Sequence, residues 1–282
     1  MATIKTADVS KSWAPDSVSS FKFEDILSES LYVSLTTFGG NIIGDAPSLK
    51  VPYVSDSDDA GFVAEGAEVP ETDVGLDEVL IQTRKIGQII TLSNEQAAQP
   101  DAANTVAASM KRNVVAQLNR ALIEQPAPVA PAIAPSTGLI HTPGIVEGDA
   151  VDSDLDSLVE TISELEANFA APKFLVIDPL SKAHLYTMRK GTGSNEGLLS
   201  AATAEPTSPI LGLQVIVSPF MPANTGLIVD PAAIVSAYSE VQVATSTDAK
   251  FTSDSTVYRV TVRCAHVVVK PNRLAKITIG EV

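Results

Sequence analysis

The 282-residue chain has little of several residue types on which other protein classes depend. Its one cysteine, Cys264, excludes an internal disulfide framework and argues against a cysteine-based metal site. Trp13 is the only tryptophan, so aromatic platforms for sugars are scarce. No stretch approaches the roughly 18 continuous apolar residues of a membrane helix. The N-terminal residues lack an apolar signal segment, so we expect neither export by that route nor membrane insertion.

Positive charge is also scarce. The chain has 19 Lys and Arg against 34 Asp and Glu, for a formal charge of −15. A nucleic-acid-binding protein usually carries a basic patch that neutralises phosphates, and this balance argues against one. An acidic surface repels DNA, which would suit a container that holds DNA without gripping it.

The most informative stretch runs from Pro52 to Thr83 and contains no Lys or Arg. Its nine acidic residues are Asp56, Asp58, Asp59, Glu65, Glu68, Glu71, Asp73, Asp77 and Glu78. Arg84 and Lys85 follow, and then a strand-like run over 86–92. Connections longer than about 12–15 residues are uncommon in compact domains unless they are functional or disordered. The pattern predicts a long two-stranded arm with an acidic tip, too thin to bury its own apolar residues. Such an arm indicates assembly rather than catalysis.

After the arm, the sequence predicts a long helix. Ser93 to Gln96 fits a capping box, and the helix is expected from Pro100 to Glu124. Its apolar residues recur every four positions, at Val106, Met110, Val114, Leu118 and Leu122. Four prolines between 126 and 135 then form a stiff crossing, the best internal boundary in the chain.

The second half first alternates helices and strands. Helices are predicted over 152–169 and 179–188, and strands over 173–178, 213–217 and 226–229, which is typical of an α/β region. From Ser236 the period becomes two. One face of a long strand carries Tyr258, Val260, Val262, Cys264, His266 and Val268. The other face, with Arg259, Thr261 and Arg263, is expected to be half-solvated.

Candidate chemical sites are weak. The glycine-rich loop over 191–197 has neither dinucleotide-binding nor Walker spacing. Cys264 and His266 share a strand face that is otherwise apolar, so we expect a core thiol and a hydrogen-bonded core histidine. The acidic run offers paired carboxylates for glycoside hydrolysis, but a charge run is usually a solvated face. We therefore predict no catalytic, cofactor-binding or metal-binding residues.

Taken in order, several stretches resemble the major capsid protein of tailed bacteriophages, the HK97-type fold. Residues 62–70 (FVAEGAEVP) resemble the family's extended E-loop, and 91–95 (TLSNE) lead into the long helix much as its strand leads into the spine helix. Residues 174–179 and 209–217 are similar to strands of its axial domain, and 258–272 to its terminal peripheral-domain strand.

The resemblance implies an α+β fold with five segments. They are an N-terminal arm (1–48), an E-loop hairpin (49–92), a peripheral domain with the spine helix (93–125), an inserted axial α/β domain (126–234) and peripheral return strands (235–282). Nothing like a coiled-coil scaffolding segment precedes Ser20, so a separate scaffold, or none, is expected. There is no lysine between Lys50 and Lys85, which argues against covalent crosslinking through this loop.

The implied function is a structural capsid protein, not an enzyme. It would self-assemble into hexamers and pentamers of an icosahedral head that encloses double-stranded DNA without sequence-specific binding. Possible partners are portal, scaffold and decoration proteins, with assembly in the host cytoplasm. The nearest alternative is an encapsulin-like bacterial nanocompartment shell, and a less favoured one is a hydrolytic enzyme.

An intersubunit interface follows as a hypothesis. Phe62 and Val63 would fill an apolar site on a neighbour, while Glu65, Glu68 and Glu71 would rest on basic residues. The basic candidates are Arg84, Lys85, Arg189 and Lys190.

Overall fold

The computed structural model describes residues 19–21, 30–42, 48–54, 62–63, 76–99, 102–189, 199 and 209–280. In this part the chain forms a mixed α+β fold with two larger sheets and one two-stranded sheet. The strands are β1 (Ser19–Phe21), β2 (Thr37–Asn41), β3 (Ser48–Val54), β4 (Leu76–Gln82), β5 (Arg84–Ser93), β6 (Val146–Glu147), β7 (Phe174–Ile177), β8 (Gln214–Val217), β9 (Thr225–Val229), β10 (Ile234–Tyr238), β11 (Val241–Lys250), β12 (Ser255–Val268) and β13 (Leu274–Thr278). The helices are α1 (Leu31–Leu35), α2 (Asn94–Ala97), α3 (Ala102–Glu124), α4 (Asp156–Ala167) and α5 (Pro179–Thr187).

The first sheet is organised around β12, the longest of these strands. On one edge β12 pairs antiparallel with β5, from Ser255 opposite Ser93 to Cys264 opposite Arg84. On its other edge it pairs with β11 and then with β10. β1 lies beyond β11, and β2 runs parallel to β10. The alternation predicted for this strand is confirmed on its inner face, where all but the last of the six predicted residues are buried.

Helix α3 packs across that inner face. Its predicted stripe is confirmed, since Met110, Val114, Leu118 and Leu122 are buried and join the core cluster that contains Val260 and Val262. The capping box is confirmed in part. The Ser93 hydroxyl accepts a hydrogen bond from the Gln96 N–H at 3.3 Å, but it caps the separate four-residue helix α2. Helix α3 is a distinct element that begins at Ala102.

The second sheet has the order β6-β13-β9-β7-β8 and a core of its own. Helix α4 buries Leu158 and Leu165 against it. Because the Asp154 carboxylate accepts from the Asp156 N–H before the first turn, this helix begins four residues later than predicted. Asp178 caps α5, accepting from the N–H groups of Leu180 (2.9 Å) and Ser181 (3.1 Å).

Strand β13 belongs to this second sheet and not to the first. It pairs antiparallel with β9, from Leu274 opposite Val229 to Thr278 opposite Thr225, and parallel with β6. The division into five segments stays a prediction, but the return segment 235–282 supplies strands to both sheets.

The arm predicted over 49–92 begins as a two-stranded sheet, in which β3 and β4 pair from Ser48 opposite Gln82 to Val54 opposite Leu76. The base of the arm is covered by the same chain. Ile81 is fully buried, in a cluster with Ile42, Ala237 and Ala265 on the outer face of the first sheet. The arm was expected to need another surface to bury its apolar residues. At this end, the first sheet of the same chain provides that surface.

The N-terminal segment is packed from Ser30 onward. Leu31, Tyr32 and Leu35 of α1 are buried in the core beneath α3. The Asn119 side chain of α3 accepts hydrogen bonds from the Ser30 hydroxyl at 3.1 Å and the Leu31 N–H at 2.9 Å. The sequence showed little periodicity here because the helix has only five residues.

Candidate assembly surface

The predicted interface residues of the arm are only partly within the described residues. Phe62 is fully exposed, with a relative accessibility of 112%, and Val63 is exposed as well. A phenylalanine without any cover from its own chain is a candidate contact for another molecule. Glu65, Glu68 and Glu71 lie outside the described residues.

Arg84 and Lys85 lie at the beginning of β5 and are both exposed. Arg84 is opposite Cys264 and donates from Nη2 to the Ala134 carbonyl oxygen at 3.4 Å. Lys85 is opposite Arg263 on the outer face of the sheet. Among the described residues, no carboxylate lies within 4.0 Å of Arg84 or Lys85.

The outer face of the first sheet extends this positive charge. Along β12, Arg259 and Arg263 share the outward face, and their β5 partners there are Ile89 and Lys85. Ile89 is 64% exposed, so the surface combines apolar and basic groups. Both arginines were expected on the half-solvated face, but neither was among the predicted interface residues. The sequence shows that the two arginines lie on one face of the strand. Their position opposite Ile89 and Lys85 follows only from the strand pairing.

Arg189 is exposed but follows α5, a helix of the second sheet's region. Arg84 and Lys85 belong to the first sheet, so the predicted cations do not lie on one element. Lys190 lies outside the described residues.

A cavity of about 240 Å³ lies where β5 begins beside β12. Its walls come from α3, β5, β12, Tyr32 and the proline-rich crossing. It forms because β5 pairs with β12 only as far as Cys264, after which Ser136 of the crossing takes over and accepts from the His266 N–H at 3.1 Å. Among the described residues that line it, the charged ones are Arg84 and Lys85.

Tyr32 and His266, two buried side chains that line this cavity, are hydrogen-bonded to each other. The Tyr32 hydroxyl lies 2.9 Å from His266 Nδ1, and His266 Nε2 lies 2.8 Å from the Thr137 carbonyl oxygen. Since a carbonyl only accepts, Nε2 carries the hydrogen and Nδ1 accepts from Tyr32. Burial lowers the pKa of His266 to about 4, although the bond to Thr137 raises it. Burial raises the pKa of the Cys264 thiol to about 12. The predicted core thiol and hydrogen-bonded core histidine are confirmed.

Comparison with known proteins identifies the family of this chain. The model of the phage capsid family matches residues 32–279. The chain belongs to the phage capsid family. It is therefore a structural protein of the virion capsid and not an enzyme. No curated protein matches it in sequence.

Solved structures of the same fold agree with the family. A chain of Gordonia phage Cozz is 17% identical with a TM-score of 0.70, over 98% of this chain and 91% of that one. A chain of Microbacterium phage Oxtober96 is 16% identical with a TM-score of 0.68, over 99% and 96%. The capsid of a native GTA particle gives 12% identity and a TM-score of 0.67, over 89% and 90%.

Membership of this family also bears on the alternatives left open by the sequence. It favours the phage capsid over an encapsulin-like compartment shell, and it leaves the acidic run without a hydrolytic role. Within the described residues, no helix is both long and apolar enough to cross a membrane.

Proposed function

We propose that this capsid protein assembles into the hexamers and pentamers of an icosahedral head that encloses double-stranded DNA. The family match over 32–279 carries the proposal. Fivefold assembly is supported by the GTA capsid, whose particle has been described with C5 symmetry. A net charge of −15 suits a wall that encloses DNA without binding its sequence. Portal, scaffold and decoration proteins would be its partners, and assembly would take place in the host cytoplasm.

We propose the same five segments that the resemblance implies. Residues 1–48 form the N-terminal arm, 49–92 the E-loop, 93–125 the peripheral domain with α3 as its spine helix, 126–234 the axial domain and 235–282 the return strands. The strand pairing of β13 supports adding its five residues to the axial domain. The paired strands β3 and β4 support an E-loop that projects from the body towards neighbouring copies.

Neighbouring copies would interlock by charge and apolar contact. The segment from Pro52 to Thr83 carries nine acidic residues and no basic ones, whereas the outer sheet face presents Lys85, Arg259 and Arg263. In an assembly whose contacts bury more than about 2,000 Å² per interface, such complementarity mainly sets register and partner choice. Arg84, Arg189 and Lys190 remain further candidates for the same contact.

The test is a triple charge reversal in the arm, Glu65→Lys, Glu68→Lys and Glu71→Lys. The control makes the same change on α4, at the exposed residues Glu160, Glu164 and Glu166. Both variants should fold, as judged by circular dichroism and thermal unfolding of the subunit. We expect electron microscopy to find shells for the wild type and the control but few for the arm variant. Equal shell yields for all three would refute the interlocking role.

A further inference from the structure

The cavity beside the beginning of β5 has the size of one aromatic side chain. Its volume of about 240 Å³ lies below the roughly 300–1,000 Å³ of small-molecule pockets. An apolar cavity of about 150 Å³ is large enough to bind benzene. Ile86, Ala121, Pro135 and Cys264 give it apolar walls. It is therefore suited to a single phenyl ring rather than to a cofactor or a nucleotide.

The polar groups of Tyr32 and His266 in the cavity need no polar ligand. Both ring nitrogens of His266 are occupied, one by the Tyr32 hydroxyl and the other by the Thr137 carbonyl. A phenyl ring placed over them leaves no donor or acceptor of this pair unpaired, so its burial costs no hydrogen bond there. The two charges at the cavity, Arg84 and Lys85, are both positive and both exposed.

Phe62 suits this cavity in size and in the charge of its sequence neighbours. It is fully exposed, and Val63 beside it is exposed too. The nearest ionisable residues before it are Asp56, Asp58 and Asp59, and those after it are Glu65, Glu68 and Glu71. A phenyl group whose nearest ionisable neighbours in sequence are acidic therefore complements a largely apolar cavity whose charged lining residues, within the described part of the chain, are Arg84 and Lys85.

The same chain does not bring the two together. Gln82, next to the cavity residues Arg84 and Lys85, pairs with Ser48 at one end of the two-stranded sheet. Val54, which pairs with Leu76 at the opposite end, lies about 20 Å further along the strands, and Phe62 comes eight residues after Val54 in the sequence. Because Phe62 is fully exposed, it does not fill the cavity of its own copy, which leaves that cavity open to a second copy.

We propose that this cavity receives Phe62 of a second copy of the chain, with the acidic residues that flank Phe62 in sequence lying against Arg84 and Lys85. The proposal rests on the assembly function above and adds to it a defined receptor site.

Photo-crosslinking tests the contact directly. Phe62 is replaced by p-benzoylphenylalanine, an aromatic residue that crosslinks to whatever surrounds it on irradiation. Isotopically light and heavy subunits are mixed before assembly, and crosslinked peptides from purified particles are identified by mass spectrometry. We expect links between light and heavy copies that end on 117–125, 135–136 or 264–266. Links confined to one isotope, or mixed links that end on another surface, would overturn the proposal while leaving shell assembly intact.

A blocking variant provides the second readout. Ala121→Phe on α3 fills the cavity from inside, and Ala108→Phe makes the same change at an exposed position of the same helix outside it. With the photo-reactive residue at 62, we expect Ala121→Phe to reduce the mixed-isotope crosslinks at least tenfold and Ala108→Phe to leave them unchanged. Undiminished crosslinks at Ala121→Phe would overturn the assigned cavity. Failure of the wild-type chain to form particles would instead refute the assembly function on which it rests.

Discussion

Protonation of His266 should set the acid sensitivity of the folded subunit. The ring is 4% exposed and neutral, with a pKa of about 4, against 6.5 for the unfolded chain. Between these two values the unfolded state binds a proton that the folded state does not. The free energy of unfolding therefore falls as the pH falls from 6.5 towards 4, and this stabilisation is complete above pH 6.5. The full window is worth about 3 kcal/mol.

The assay is urea unfolding of the isolated subunit at a series of pH values, comparing the wild type with His266→Gln. Glutamine does not titrate, and its amide retains an N–H that is able to donate to the Thr137 carbonyl. Carboxylates titrate in both proteins, so they cancel in the comparison. We expect the difference in unfolding free energy between wild type and variant to shrink by about 2 kcal/mol from pH 7 to pH 5. Parallel pH profiles would refute the buried neutral ring.

Three further predictions concern the stability of the subunit, measured by denaturant unfolding. Leu118 is fully buried beneath the first sheet, so Leu118→Ala should cost about 2–5 kcal/mol, whereas the exposed Lys111→Ala on the same helix should cost less than about 0.5. A Cβ at Gly138 would lie 2.5 Å from the backbone of both Ile123 and Gln125, so Gly138→Ala should destabilise by more than about 2 kcal/mol, and a neutral result would contradict this close approach. The ion pair between Lys50 and Glu78 is exposed on both sides, so Glu78→Gln should change stability by less than about 1 kcal/mol, and a larger loss would contradict that assignment.

The sequence predicted well wherever one face of an element meets a core. The four-residue recurrence in α3 and the alternation in β12 both reflect burial on one side, and both are confirmed. Three strands of the second sheet, β7, β8 and β9, were predicted within one residue of their ends because each is a short apolar run between polar or glycine-rich segments, whereas β6 and β13 were not predicted.

Features that depend on long-range pairing were not accessible from periodicity. Ala265 is buried although it faces away from α3, because the base of the arm covers it there. β13 joins the second sheet through partners more than forty residues earlier in the chain, at Val229 and Ile228. The five-residue helix α1 is too short to give a periodic signal, and its packing depends on Asn119.

The candidate assembly surface was predictable in composition but not in position. The acidic run and the pair Arg84 and Lys85 were evident from the sequence alone. The contribution of Arg259 and Arg263 followed only from their register against β5. The cavity required the beginning of β5, the crossing and α3 to be placed together, since no short motif encodes it.

The central claim, a capsid subunit that interlocks with its neighbours through the arm, is tested most directly by cryo-electron microscopy of particles formed by this chain, alone or with the scaffold from its own genome. The account predicts closed shells built of fivefold and sixfold rings, with the arm of each copy lying on the next and Phe62 in its neighbour's cavity. A subunit that remains monomeric under both conditions, or shells in which the arm contacts no other copy, would contradict it.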